Sequence, residues 1–262
     1  MLGEGEQAQI EAVAERLRES GDLLFITGAG LSADSGLPTY RGIGGLYNGE
    51  RTEEGISIEQ ALSGMMLRER PEVAWRYIGR IEAACRGARP NRGHEVIAEM
   101  GGRFARVVVL TQNIDGFHRE AGSKEVIDIH GDFHDLYCEN SSCGYRETVG
   151  DYGGLALPPR CPRCGAGVRP DVVFFGEALP TAKVERLLTE VERGFEVIFS
   201  VGTTSVFPYI AHPVWEARRR GITTVEINPG QTQVSELVDY KIAAGAAESL
   251  EAIWAKVKGK MD

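Results

Sequence analysis

Six short runs of this chain are apolar at almost every position. They read LLFIT at 23–27, RVVVLT at 106–111, VIDIH at 126–130, VVFF at 172–175, FEVIFSV at 195–201 and TTVEIN at 223–228. A strand that is apolar on both faces needs cover above and below, which is the setting of a parallel sheet. Segments with helical spacing lie between several of these runs, at 93–100, 181–193 and 213–220, and Ile10, Val13, Ala14 and Leu17 mark another over 7–20. Strand alternating with helix predicts an α/β protein with a doubly wound sheet.

Two stretches break the alternation. Residues 51–90 read as helices, and residues 137–168 as turns and short strands that hold two cysteine pairs. Both are expected to be inserts that form a smaller module. With 262 residues, 42% of them hydrophobic, the chain can bury a sizeable core. A net charge of -9 speaks against a general nucleic-acid binder, which needs a basic face. No apolar run has the length of a membrane span. The first twenty residues, MLGEGEQAQIEAVAERLRES, lack the basic start and apolar centre of a secretory signal, so the expected location is cytoplasmic, with no membrane partner.

The first strand runs straight into GAGLSADSGLPTYRG. Gly28, Gly30 and Ala33 satisfy G-x-G-x-x-G/A. Glycines there let the backbone turn sharply and approach a pyrophosphate, whose charge the helix-end N–H groups can meet. The alternative is a tight strand–helix turn with no ligand. A hydride-transfer enzyme also wants an acid at the end of its second strand, about 20 residues on. Glu53 and Glu54 stand near that distance, but NGERTEEGIS is no buried strand. Pro38 stiffens the following loop, and Arg41 sets a fixed cation beside it.

Other polar groups fall just after strands, where ligands sit in open α/β sheets. Gln112, Asn113 and Asp115 follow the second run. They can bond ribose hydroxyls or a carboxamide, or form an Asx turn. His130 ends the third run and is followed by Gly131. It is a candidate general base, or else a hydrogen-bonded structural histidine. His94, His118, His134 and His212 read as structural, with His118 in reserve. Gly202, Thr203, Thr204 and Ser205 follow a buried strand, Asn228 follows the next, and Gly245, Ala246 and Ala247 leave room for a flat ring. Cys138 and Cys143 enclose four residues, and Cys161 and Cys164 enclose two. Four thiolates suit one structural, tetrahedral zinc with no open position; two disulfides are the alternative, disfavoured in a reducing compartment. Cys85 reads as a small buried residue.

GAGLSADSGLPTYRG, TQNID, HG, the cysteine pairs, PDVVFFGE, GTTS and IN follow one another in a single order. Together they resemble the sirtuin family of NAD-dependent protein deacylases, over roughly residues 23–250. The resemblance implies a Rossmann-type domain made of residues 1–50, 91–136 and 169–262. A small zinc-binding and helical domain would come from 51–90 and 137–168. It implies that NAD and an acylated lysine of a protein or peptide meet in the cleft between them. NAD is cleaved to nicotinamide, the acyl oxygen captures the ribose carbon, and His130 activates a ribose hydroxyl. The products are free lysine, nicotinamide and O-acyl-ADP-ribose. Because NAD is consumed, no hydride acceptor is needed.

The same resemblance implies that Asn113 and Asp115 hold the ribose and the nicotinamide amide. Cofactor contacts would run over Gly28, Ala29, Gly30, Ser32, Asp34, Tyr40 and Arg41, then Gln112 and Ile114. They would continue over Gly202, Thr203, Thr204 and Ser205, Asn228, Pro229 and Gly230, and Ala246 and Ala247. Val172, Val173, Phe174, Phe175, Gly176 and Glu177 would face the peptide, which could pair as an added strand. Tyr77 and Arg80, three apart on a helix, share a face. They match the Tyr-x-x-Arg pair with which one sirtuin subgroup binds the carboxylate of succinyl and malonyl groups. The chain departs from the family in Tyr40, where Phe is common, and in a GTTSVFP loop one residue shorter than usual. The competing readings are an ADP-ribosyltransferase or NAD glycohydrolase, and a non-catalytic NAD or ADP-ribose sensor.

Overall fold

The architecture was obtained as a computed structural model, which describes residues 2–37 and 51–259. In chain order the elements are α1 (Glu4–Arg18), β1 (Asp22–Thr27), α2 (Ala29–Ser32), α3 (Ile58–Ala61), α4 (Gly64–Glu69), α5 (Pro71–Cys85), α6 (Arg92–Gly101) and β2 (Arg106–Thr111). There follow α7 (Phe117–Glu120), β3 (Glu125–Asp128), β4 (Gly131–Cys138), β5 (Arg146–Thr148), β6 (Val168–Val172), α8 (Thr181–Arg193) and β7 (Val197–Val201). The chain closes with α9 (Pro208–Arg220), β8 (Thr223–Ile227), β9 (Tyr240–Ile242) and α10 (Ala246–Lys258).

Six strands form one sheet in the order β3-β2-β1-β7-β8-β9, and every pairing in it is parallel. This is the doubly wound order that reverses between its first and fourth strands. The reversal lies between β1 and β7, and at its centre Phe25 pairs with Phe199, their rings stacked at 4.6 Å. Along β1 the side chains alternate between two cores. Leu23 and Phe25 pack under α1, α6 and α10, while Leu24 and Ile26 pack under α8 and α9. Each such buried side chain contributes about 1.5–3 kcal/mol. Five of the six apolar runs are therefore strands of this sheet covered on both faces, as expected.

A third core joins α3–α5 to a three-stranded antiparallel sheet, β5-β4-β6. Trp75 from α5 meets Tyr152 at 5.5 Å, and Tyr77, Phe133, Leu136 and Phe174 complete it. Ser57 and Gln60 form a capping box at the start of α3, and Pro71 opens α5 at a position that needs no N–H.

Three expectations are corrected. The run at 172–175 is not a strand of the parallel sheet. Val172 ends β6, which pairs antiparallel with β4, and Phe175 makes an isolated parallel bridge with Ser63. The helix α9 begins at Pro208 rather than at residue 213, and Pro213 lies inside it. Proline at 208 supplies the helical start that was assigned to 213. The strand β9 was not anticipated; three residues leading into AAGAA carry no periodic signal. The small sheet runs from Gly131 to Val172.

Candidate active site

The glycine turn sits on the reversal of the sheet. Gly28 N–H donates to the Val201 carbonyl at 3.1 Å and Gly30 N–H to the Gly202 carbonyl at 2.8 Å. A Cβ on Gly30 would lie 2.7 Å from Gly202 Cα, and Gly202 itself has φ +59°. These glycines thus let two protein loops meet at the crevice. The close approach seen here is with the loop after β7.

A polar network spreads from this contact along the carboxyl edge of the sheet. Asn113 Nδ2 donates to the Gly28 carbonyl at 3.1 Å and to Ser32 Oγ at 3.0 Å, and Ser32 Oγ donates to Asp115 Oδ2 at 2.7 Å. All three side chains are buried. Asp115 Oδ1 also accepts from Phe117 N–H at 3.1 Å, so the Asx-turn reading of this loop holds as well. Burial pushes the Asp115 carboxyl up, against the bonds from Ser32 and Phe117. Ile114 packs toward the third core. Gln112 Nε2 donates to Thr203 Oγ1 at 2.7 Å, and Asn228 Nδ2 to the Thr203 carbonyl at 3.1 Å.

The rest of the loop after β7 is bent around Thr203. Ser205 N–H donates to Thr203 Oγ1 at 3.1 Å, and Ser205 holds φ +53°, a left-handed value that a non-glycine residue seldom adopts. Thr204, Pro229 and Gly230 are exposed at the rim. Asp34 accepts from Ala247 N–H at 3.0 Å beside buried Ala246 and so ties the glycine turn to the start of α10. Tyr40 and Arg41 lie outside the described residues.

His130 stands after β3, half-buried. Its Nδ1 lies 2.9 Å from the Gln112 carbonyl, and its Nε2 lies 2.7 Å from the Tyr209 hydroxyl. Burial pushes its pKa below the usual value, so the ring is neutral near pH 7. Gly131 follows at φ +89°; a Cβ there would sit 1.8 Å from the Asp171 carbonyl oxygen. The His-Gly pair therefore marks the point where the chain leaves the parallel sheet for β4. Tyr209 was not singled out from the sequence, because a helix starting at 213 leaves it in a loop. His118 is fully enclosed in α7, with Nε2 2.9 Å from Thr27 Oγ1, which fits the structural reading it was given.

In the small sheet, where the sequence was expected to face peptide, β6 is an edge strand. Val173 N–H donates to the His130 carbonyl at 2.9 Å, and Phe175 exchanges backbone bonds with Leu62 and Gly64. Phe174 is buried in the third core, Phe175 is exposed, and Gly176 turns the chain. Glu177 is held by Arg169 at 2.7 Å. Tyr77 and Arg80 do share a face, with the guanidinium 5.1 Å from the Tyr77 ring centre. Both hold carboxylates of this chain. Tyr77 donates to Glu54 Oε2 at 2.6 Å, and Arg80 to Glu53 Oε1 at 2.5 Å. The bond from Tyr77 lowers the Glu54 pKa most.

Cys138, Cys143, Cys161 and Cys164 are free thiols whose sulfurs all lie within 4.8 Å of one another. The Cys138–Cys164 and Cys143–Cys161 pairs are 3.5 and 3.6 Å apart. A tetrahedral zinc with Zn–S of about 2.3 Å sets its sulfurs about 3.8 Å apart, so the cluster fits one structural ion. No open position is left for chemistry. No helix among the described residues is long and apolar enough to cross a membrane.

A glycine turn seated on the reversal of a doubly wound parallel sheet, with polar side chains gathered on the same edge, defines a Rossmann-type α/β protein. The match to the Sir2 family extends over residues 28–208, and the chain belongs to that family. It is 51% identical over 247 residues to the NAD-dependent protein deacylase 2 of Pseudomonas aeruginosa PAO1, spanning 91% of this chain and 93% of that protein. A Sir2 homologue solved with NAD superposes with a TM-score of 0.84 at 32% identity, over 96% of this chain and 95% of the other. A Sir2 variant solved with deacetylated p53 peptide and 3′-O-acetyl-ADP-ribose gives 0.83 at 27% identity, over 94% and 98%.

Proposed function

We propose that this chain is an NAD-dependent protein-lysine deacylase, in which the dinucleotide lies along the carboxyl edge of the large sheet. The observation that carries the reading is His130. It is a neutral imidazole with Nδ1 committed to the Gln112 carbonyl, beside the buried Ser32–Asn113–Asp115 network. Asn113 and Asp115 orient ribose and the nicotinamide amide. Nicotinamide leaves C1′ of the ribose, the acyl oxygen takes its place, and His130 accepts the proton of a ribose hydroxyl. With one water, the products are free lysine, nicotinamide and O-acyl-ADP-ribose. The deacylase relative from Pseudomonas aeruginosa supports this reading.

The acyl groups include acetyl and, by the pair on α5, succinyl and malonyl. Tyr77 and Arg80 already receive carboxylates, those of Glu54 and Glu53, which supports a site able to bind an acidic acyl end. The large domain, made of 1–50, 91–136 and 169–262, carries the dinucleotide. The small one, made of 51–90 and 137–168, carries the zinc, and the protein works in the cytoplasm. Mass spectrometry of acetyl-, malonyl- and succinyl-lysine peptides, with and without NAD, tests the reading. We expect deacylation only with NAD, lowered about 10²-fold or more in His130→Ala with NAD binding retained. Arg80→Ala should lower succinyl turnover and spare acetyl turnover. Nicotinamide release without any acyl peptide would instead make the protein a glycohydrolase.

A further inference from the structure

Both ring nitrogens of His130 are engaged in the resting protein. Nδ1 faces a carbonyl oxygen, which only accepts, so Nδ1 carries the proton. Nε2 is then a lone pair, and the Tyr209 hydroxyl donates to it at 2.7 Å. A ribose hydroxyl that gives its proton to this imidazole has to do so at Nε2. That place is taken.

The tyrosine is built into its position. It is the second residue of α9, Phe207 stacks on it at 5.5 Å, and both rings meet the imidazole edge-on at 6.0 Å. Burial pushes its pKa up to about 12, so the phenol keeps its proton at working pH. The turn that carries it lacks one helical hydrogen bond. Pro213 has no N–H with which to bond the Tyr209 carbonyl, and Val206 and Phe207 just before it are exposed. Among the described residues, the charge that bears on the imidazole is that of Lys183 on α8, which lies 3.1 Å from Asp128 and opposes a positive ring. The elements closing on His130 otherwise present the Gln112 carbonyl, the Val173 N–H and the two aromatic rings.

We propose that Tyr209 is a positioning residue of this site: its hydroxyl occupies His130 Nε2 in the resting protein, holds the ring in the Nδ1–H form, and gives way to the ribose hydroxyl of the bound dinucleotide. The proposal rests on the assignment of His130 as the base toward that hydroxyl. The phenol donates to the neutral ring and accepts from the protonated one, and bonds to a charged partner are the stronger. The hydroxyl therefore keeps the imidazole more basic than burial alone would leave it.

Two measurements on the intact protein and on Tyr209→Phe test this. Phenylalanine keeps the stack on Phe207 and removes one oxygen. The first measurement is an NMR titration of the five histidines, with His130 assigned by His130→Ala. The second is calorimetric binding of ADP-ribose. In the free proteins His130 is expected to titrate about half to one pH unit lower in Tyr209→Phe. In the ADP-ribose complexes the two proteins should titrate together, because ribose has replaced the phenol in the wild type. ADP-ribose should bind about fivefold more tightly to the variant, which has no phenol to displace. A difference that persists in the complex, or an affinity no better than wild type, overturns the proposal. The base assignment is judged separately by deacylation in His130→Ala. Normal turnover there removes the base, while titration and binding still report whether ribose displaces the phenol.

Discussion

Gly202 occupies φ +59° with the amide nitrogen of Leu31 so close that an added Cβ would lie 2.3 Å from it. Gly36 is also left-handed, at φ +82°, but an added Cβ there meets nothing within 4 Å among the described residues. The two separate conformational strain from lost packing. Gly36→Ala is expected to lower stability by about 1 kcal/mol in urea unfolding. Gly202→Ala should cost about 3 kcal/mol or more and weaken ADP-ribose binding, because the glycine turn must move off the loop after β7. Equal losses in the two variants would show that the contact is dispensable. At this scale the sequence is readable where chemistry is local. Two cysteine pairs state a metal site by themselves, and His130 is marked by its strand end. Tyr209 was hidden because its meaning depends on where a helix begins.

Among elements, the small sheet depends most on what is not protein. β5 has three residues, all exposed, and it pairs with β4 beside the four thiols. Stripping zinc with a chelator is expected to abolish hydrogen-exchange protection across β4, β5 and β6 while leaving β1, β2 and β7 protected. Retained protection at β4 and β5 would mean that the core around Trp75 and Tyr152 holds the sheet unaided. The strands of the large sheet were legible because each is apolar on both faces. VVFF shares that composition and was misplaced with them. Its Phe174 is buried by the small core, and an apolar run records burial without recording which sheet supplies it. β9 was missed for the opposite reason, being too short to show a period.

The molecule as a whole should weaken in acid by a route independent of its active site. His94 on α6 and His118 on α7 are buried with ring centres 5.0 Å apart. Desolvation pushes the His94 pKa down to about 4 and that of His118 well below its ordinary value. In the unfolded chain both take a proton near pH 6.5. Between that pH and 4 the unfolded state binds more protons than the native one, so stability is full above about 6.5 and is lost as pH falls toward 4. His94 alone accounts for about 3 kcal/mol of this loss. Urea unfolding at a series of pH values should show that slope, and His94→Gln should flatten it. An unchanged slope in the variant would assign acid sensitivity elsewhere.

The central place of β1 also bears on how the protein is made. One edge of β1 is filled by β2, but the other waits for β7, far along the chain and beyond the whole small sheet. Until β7 leaves the ribosome, β1 keeps an open, apolar edge of the kind that invites pairing with other chains. The seat of Gly30 against Gly202 closes that edge and builds the crevice in a single event. During synthesis, the capacity to hold a dinucleotide and protection from aggregation therefore arrive together and late.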